Sequence, residues 1–140
     1  MFFARKIKSC KHLSLLFLRF LCYYLEQKTN EPIGTNGYIS PEIYLHKEYS
    51  YSIDVWSLGV ILYLLITGGI LPFDDINMDC KVIAKKVIYL QQDYPEEFFG
   101  DKSKKLVNLL DKMLEKDENK RIDINNLLKD SWFDIIKKCE

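Results

Sequence analysis

The hydrophobic pattern of this chain is dominated by one run, Asp54 to Thr67 (DVWSLGVILYLLIT), in which apolar residues occur on every side and no proline interrupts. A helix without a polar face has to be buried. Ser52 offers a hydroxyl as N-cap and Gly68-Gly69 a left-handed exit, so start and stop signals agree on about four turns. At ~1.5 Å per residue the run is ~21 Å long, too short for a bilayer, which needs about 20 apolar residues.

The later segments alternate more conventionally. After Pro72, Asp75 or Asn77 is available to cap a helix reaching about Val87. Its Lys81, Lys85 and Lys86 read as a solvated face or, alternatively, a docking face. Ser103 is placed to cap KKLVNLLDKMLEKD, where Leu106, Leu109, Leu110, Met113 and Leu114 share one face. Asp123 then caps INNLLKDSWF.

Leu13 to Leu25 (LSLLFLRFLCYYL) is a second apolar run, preceded by Arg5, Lys6, Lys8 and Lys11. It has the outline of a signal peptide, but Arg19 interrupts it and no small-x-small cleavage site follows. Three readings stay open: a membrane or targeting segment, an amphipathic helix, or a stretch not native to the domain that follows.

Composition narrows the function classes. Over 140 residues, 48 % hydrophobic and 14 % aromatic content is that of a globular chain with one domain's worth of core. Twenty basic residues balance twenty acidic ones, so no overall field recruits nucleic acid or an anionic membrane. Cys10, Cys22, Cys80 and Cys139 are scattered without a C-x-x-C pair, which argues for free thiols in a reducing, intracellular compartment and against a zinc site.

The candidate chemistry lies in the order of short motifs: Gly34-Thr35, Tyr38, Ser40-Pro41-Glu42, Asp54-Val-Trp56-Ser-Leu-Gly-Val, Thr67-Gly68, Pro72-Phe73, a late Arg121, and Trp132-Phe133. This series resembles the C-terminal lobe of serine/threonine protein kinases, Ser-Pro-Glu standing where the family closes its activation segment with Ala-Pro-Glu. GYISPE, LPFDD and the block from Tyr94 to Phe99 most resemble the calcium/calmodulin-dependent group. The likeness covers about Pro32 to Phe133. It implies two regions: residues 1–31, unlike a kinase, with an artefact of a gene model among their readings, and residues 32–136, a portion of the kinase C-terminal lobe.

The fold so implied is mainly α, the helical lobe of a bilobal kinase without the N-terminal sheet lobe. The family uses ATP and magnesium, held by a Gly-rich loop, a strand lysine, His-Arg-Asp and Asp-Phe-Gly. None of those motifs occurs here: neither His12 nor His46 is followed by Arg-Asp, and no Gly-x-Gly-x-x-Gly exists. The expectation is therefore no catalytic residue and no cofactor or metal site in this chain, and no phosphoryl transfer by it alone.

By resemblance, Thr35 and Tyr38 belong to a shelf for a peptide or protein substrate, Thr35 facing a catalytic aspartate. Glu42 and Arg121 would form a buried bridge, Asp54 would anchor the catalytic loop by accepting backbone N–H groups, and Trp56 would pack beneath the Pro-Glu corner. An alternative of another class is a non-catalytic kinase-like binding or scaffold module, and a third anchors it to a membrane through residues 13–25.

Overall fold

The computed structural model describes residues 34–75, 77, 79–102 and 104–134. Leu13–Leu25, Pro32 and the expected Ser103 cap lie outside the described residues. Within them the chain is mainly helical and contains no strand: α1 (Pro41–Tyr44), α2 (Ser52–Thr67), α3 (Cys80–Tyr89), α4 (Glu96–Phe99), α5 (Lys104–Met113), α6 (Ile124–Leu127) and a closing 3-10 turn (Ser131–Phe133). This is the architecture that the resemblance implies.

Helix α2 is the axis on which three packed clusters meet. Trp56 and Val60 pack with Phe73, Ile83, Val87 and Leu114. Val55 packs with Leu109, Met113 and Leu127, and Tyr63 with Phe99 and Leu110. Gly59 lets α5 come close: a Cβ there would lie 3.0 Å from Leu114 Cδ2 and from Met113 Cβ. The helix ends as the glycines dictate, with Gly68 at φ 71° and the Gly69 N–H returning to the Leu64 carbonyl at 2.9 Å.

Four details differ from the pattern reading. Ser52 is the first residue of α2, and Tyr51 occupies the cap position without a side-chain bond. Asp79, not Asp75 or Asn77, caps α3 by accepting from the Lys81 N–H at 2.8 Å, while Asp75 binds the Asn77 and Asp79 N–H groups and organises the turn before it. The stretch after Asp123 is two short elements, because Asp130 starts a new turn by accepting from the Trp132 N–H at 3.0 Å.

The fourth difference is the largest. Helix α2 is not buried all round: Leu58 (44 % exposed), Ile61 (43 %) and Leu65 (70 %) leave one apolar face open among the described residues.

Candidate functional site

The candidate site is the segment from Gly34 to Glu42 and the parts that hold it against α2. Its first turn closes through the Tyr38 N–H on the Thr35 carbonyl at 3.1 Å. Gly37 sits at φ 89°, a conformation that favours glycine, and a Cβ there would lie 2.7 Å from Leu71 Cδ1, so that the leucine tip would also have to turn aside. The Thr35 side chain is exposed, and Tyr38 is half-buried against the Trp56 cluster. Ser57 Oγ donates to the Tyr38 carbonyl (3.2 Å) and to Ile53 of its own helix (3.0 Å), fastening the turn to α2.

Pro41 then begins α1 at a position where a missing N–H costs nothing. This short helix delivers Glu42 to Arg121 in fork-on-fork geometry: Nη1 to Oε1 at 2.7 Å and Nη2 to Oε2 at 2.9 Å. The two side chains are 3 % and 0 % exposed. Arg121 spends its remaining donors on backbone, Nη1 reaching the Ser52 carbonyl (3.0 Å) and Nε the Glu115 carbonyl (2.9 Å). One guanidinium thus ties together α1, the start of α2 and the loop after α5.

The ring of Trp56, fully buried, lies under that guanidinium with Arg121 Cζ 5.2 Å from its centroid. Phe73 stacks on the same indole at 5.7 Å and 8°. Asp54 stands half-buried in the first turn of α2, where the helix N-terminus favours a carboxylate. The structure therefore brings Tyr38, Glu42, Trp56 and Arg121 into one contiguous assembly, with Thr35 on its exposed rim.

Ser40, placed just before α1, is 1 % exposed, and its Oγ has no hydrogen-bond partner among the described residues. A desolvated hydroxyl without a partner costs more than it returns. Ser40→Ala should raise the unfolding free energy by about 1 kcal/mol. Urea melts of the two proteins check it, and an unchanged or lower midpoint would mean that the hydroxyl has an acceptor.

Sequence reasoning missed Lys116. Its ammonium donates to the Val87 carbonyl (2.8 Å) at the end of α3 and sits 3.7 Å from the Phe73 centroid and 5.0 Å from that of Trp56. Burial, and then the neighbouring Arg121 guanidinium, push this lysine down to about 7, while Glu115 pulls the other way. No periodicity or motif marks it, because a lysine two positions past a core leucine is ordinarily solvated.

A stability effect follows with a definite sign. The unfolded chain holds the Lys116 proton up to its ordinary value near 10.4, whereas the folded chain releases it near 7, so stability rises with pH across that window. Denaturation midpoints at pH 7 and 9.5 should rise more for the wild type than for Lys116→Met. Equal changes in the two proteins would show that Lys116 keeps its charge in the fold.

Among the described residues no group of three or more His, Cys, Asp or Glu side chains is arranged to hold a metal ion, and no helix is long and apolar enough to cross a membrane. Magnesium-ATP needs convergent carboxylates and a backbone cradle, and the described residues assemble no such carboxylate group.

Comparison with known proteins places this geometry. The model described as "Protein kinase domain" matches residues 20–133. The serine/threonine-protein kinase RCK2 of Saccharomyces cerevisiae is 31 % identical over 115 residues, 80 % of this chain and 18 % of that protein. CBL-interacting serine/threonine-protein kinase 8 of Arabidopsis thaliana is 38 % identical over 102 residues, 71 % of this chain and 21 % of the relative. Myosin light chain kinase A of Dictyostelium discoideum is 31 % identical over 100 residues, 71 % of this chain and 33 % of its own length. The chain thus spans between 18 % and 33 % of these curated relatives. With a family match over most of its length, a helical architecture and serine/threonine kinases as its relatives, this chain belongs to the protein kinase family.

Proposed function

We propose that the chain supplies the substrate-side helical portion of a serine/threonine protein kinase, of the kind that transfers the γ-phosphate of ATP to protein hydroxyls. The observation that carries this reading is the buried Glu42–Arg121 fork, which clamps the segment bearing Thr35 and Tyr38 onto α2. A segment so held presents the Thr35 hydroxyl and the Tyr38 ring as a rigid shelf for an extended peptide. Asp54 and Trp56 serve as its supports, and residues 32–136 form the kinase-like unit. The sequences GYISPE and LPFDD support a place in the calcium/calmodulin-dependent group. Four scattered cysteines without a C-x-x-C pair support an intracellular setting.

The 140-residue polypeptide on its own neither binds magnesium-ATP nor phosphorylates a substrate. Phosphoryl transfer is mostly positioning and charge stabilisation, and the sequence holds none of the motifs that provide them. An exposed lysine such as Lys85 offers at most ~1 kcal/mol to a phosphate, against the ~8 kcal/mol of micromolar binding. Titration calorimetry with magnesium-ATP and a radiolabel assay on a generic basic protein test this. We expect no saturable heat and no transfer; micromolar binding, or transfer above that of Thr35→Ala, would sink the idea.

A further inference from the structure

Helix α3 carries Lys81, Lys85 and Lys86, and the fold employs only the last. Lys86 donates to the Asp74 carbonyl and stands 3.7 Å from the Asp75 carboxylate. Lys81 and Lys85 are exposed and have no side-chain partner among the described residues. The nearby acids are already engaged: Asp74 accepts from the Asp75 N–H at 2.8 Å, Asp75 from the Asn77 and Asp79 N–H groups, and Asp79 from the Lys81 N–H. Two ammonium groups are thus left facing solvent on adjacent turns of one helix.

Their stripe begins where the Thr35–Tyr38 shelf ends. Asn36 donates through Nδ2 to Cys80 Sγ at 2.7 Å, and Cys80 is the first residue of α3. A peptide lying extended on the shelf reaches Lys81 within about three residues at ~3.4 Å each. Helix neighbours at Lys81 and Lys85 stand ~5–6 Å apart, close to the ~6.8 Å between same-side residues of an extended chain. We propose that α3 selects protein substrates with two acidic side chains, two residues apart, beyond the residue seated on the shelf, one meeting Lys81 and the other Lys85. This selection rests on the reading of Thr35 and Tyr38 as a substrate shelf.

Because twenty basic and twenty acidic residues leave the chain without an overall field, attraction for an acidic segment has to be local. An exposed ion pair changes an equilibrium by up to about fivefold, so two of them discriminate between substrates without supplying most of the affinity.

Fluorescence anisotropy with the full chain and labelled synthetic peptides tests this. One peptide carries two glutamates, two residues apart, beyond a serine; a second has glutamines and a third lysines at those positions. The glutamate peptide should bind about fivefold tighter than the glutamine one at low ionic strength, and the ratio should fall below about twofold at ~0.5 M salt. Lys81→Glu/Lys85→Glu, confined to exposed positions, should reverse the preference toward the lysine peptide, a gain that an unfolded variant would not show. Lys129→Glu, on an exposed lysine of another element, should leave the preference as it is. Equal binding of the glutamate and glutamine peptides, a preference abolished equally by Lys129→Glu, or no binding of any peptide would each overturn the proposal. Thr35→Arg separates it from the shelf reading. If glutamate and glutamine peptides bind equally and Thr35→Arg weakens both, the shelf stands and the acid selection falls; if the glutamate preference resists Thr35→Arg but not the lysine exchange, the acid-selecting face stands and the shelf falls.

Discussion

Arg121→Ala lowers the unfolding free energy by about 3–5 kcal/mol, the range for breaking a buried ion pair by removing one partner. The loss is large because Glu42, 3 % exposed, is left with neither fork bond, and because the carbonyls of Ser52 and Glu115 lose their donors as well. Glu42→Ala costs less, since the stranded guanidinium keeps both carbonyl acceptors and the face of Trp56. The double variant should cost clearly less than the two singles combined, as no lone charge remains buried. Denaturant melts of the three proteins read this directly; additive effects below 1 kcal/mol would show that the pair holds nothing together. As typical domains are stable by only ~5–15 kcal/mol, Arg121→Ala removes a large share of the whole.

How much of this was legible beforehand depends on the kind of signal. Where periodicity and one dominant partner set the outcome, the reading holds: Leu106, Leu109, Leu110 and Met113 are the buried face of α5, and Asp123 accepts from the Asn125 and Asn126 N–H groups. Glu42 and Arg121 are 79 positions apart, and nothing local pairs them; the family motif alone suggests that they meet. Cap identity failed at Asp79 because Asp75 lies close by with the same chemistry, and the chain uses one for the helix and the other for the turn. The break at Asp130 went unseen because a carboxylate inside INNLLKDSWF is as compatible with a helix as with a new cap, and the choice is made by Lys112 reaching it at 2.8 Å from α5. Lys116 shows the same limit: its setting is built by Trp56, Phe73 and Val87, from three distant parts of the chain.

The exposed face of α2 teaches the opposite lesson. The reading that a helix apolar on all sides must be buried follows from transfer energetics, and the described residues cover only part of it. Val55, Trp56, Gly59, Val60 and Tyr63 are inside, whereas Leu58, Ile61 and Leu65 are not. The pattern thus records a demand for burial that the described residues alone leave unmet.

Trp56→Ala should be the other severe substitution, at about 3–5 kcal/mol, and the contrast with Trp56→Phe identifies the cause. The indole is wholly buried, fills the space between Arg121 and Phe73, and offers its face to both Arg121 and Lys116. Its Nε1 has no hydrogen-bond partner among the described residues, so the N–H contributes no bond there. Alanine removes ring, packing and both cation contacts, leaving a cavity next to the buried Arg121 guanidinium. Phenylalanine keeps an aromatic face and most of the volume while deleting the idle donor, and should cost on the order of 1–2 kcal/mol. Far-UV circular dichroism melts suit the comparison, because the fluorescence of this tryptophan disappears in both variants. If the two substitutions cost the same, the indole nitrogen rather than the ring face would be what the corner requires, and the stacking of Trp56 beneath the Glu42–Arg121 fork would be incidental to its stability.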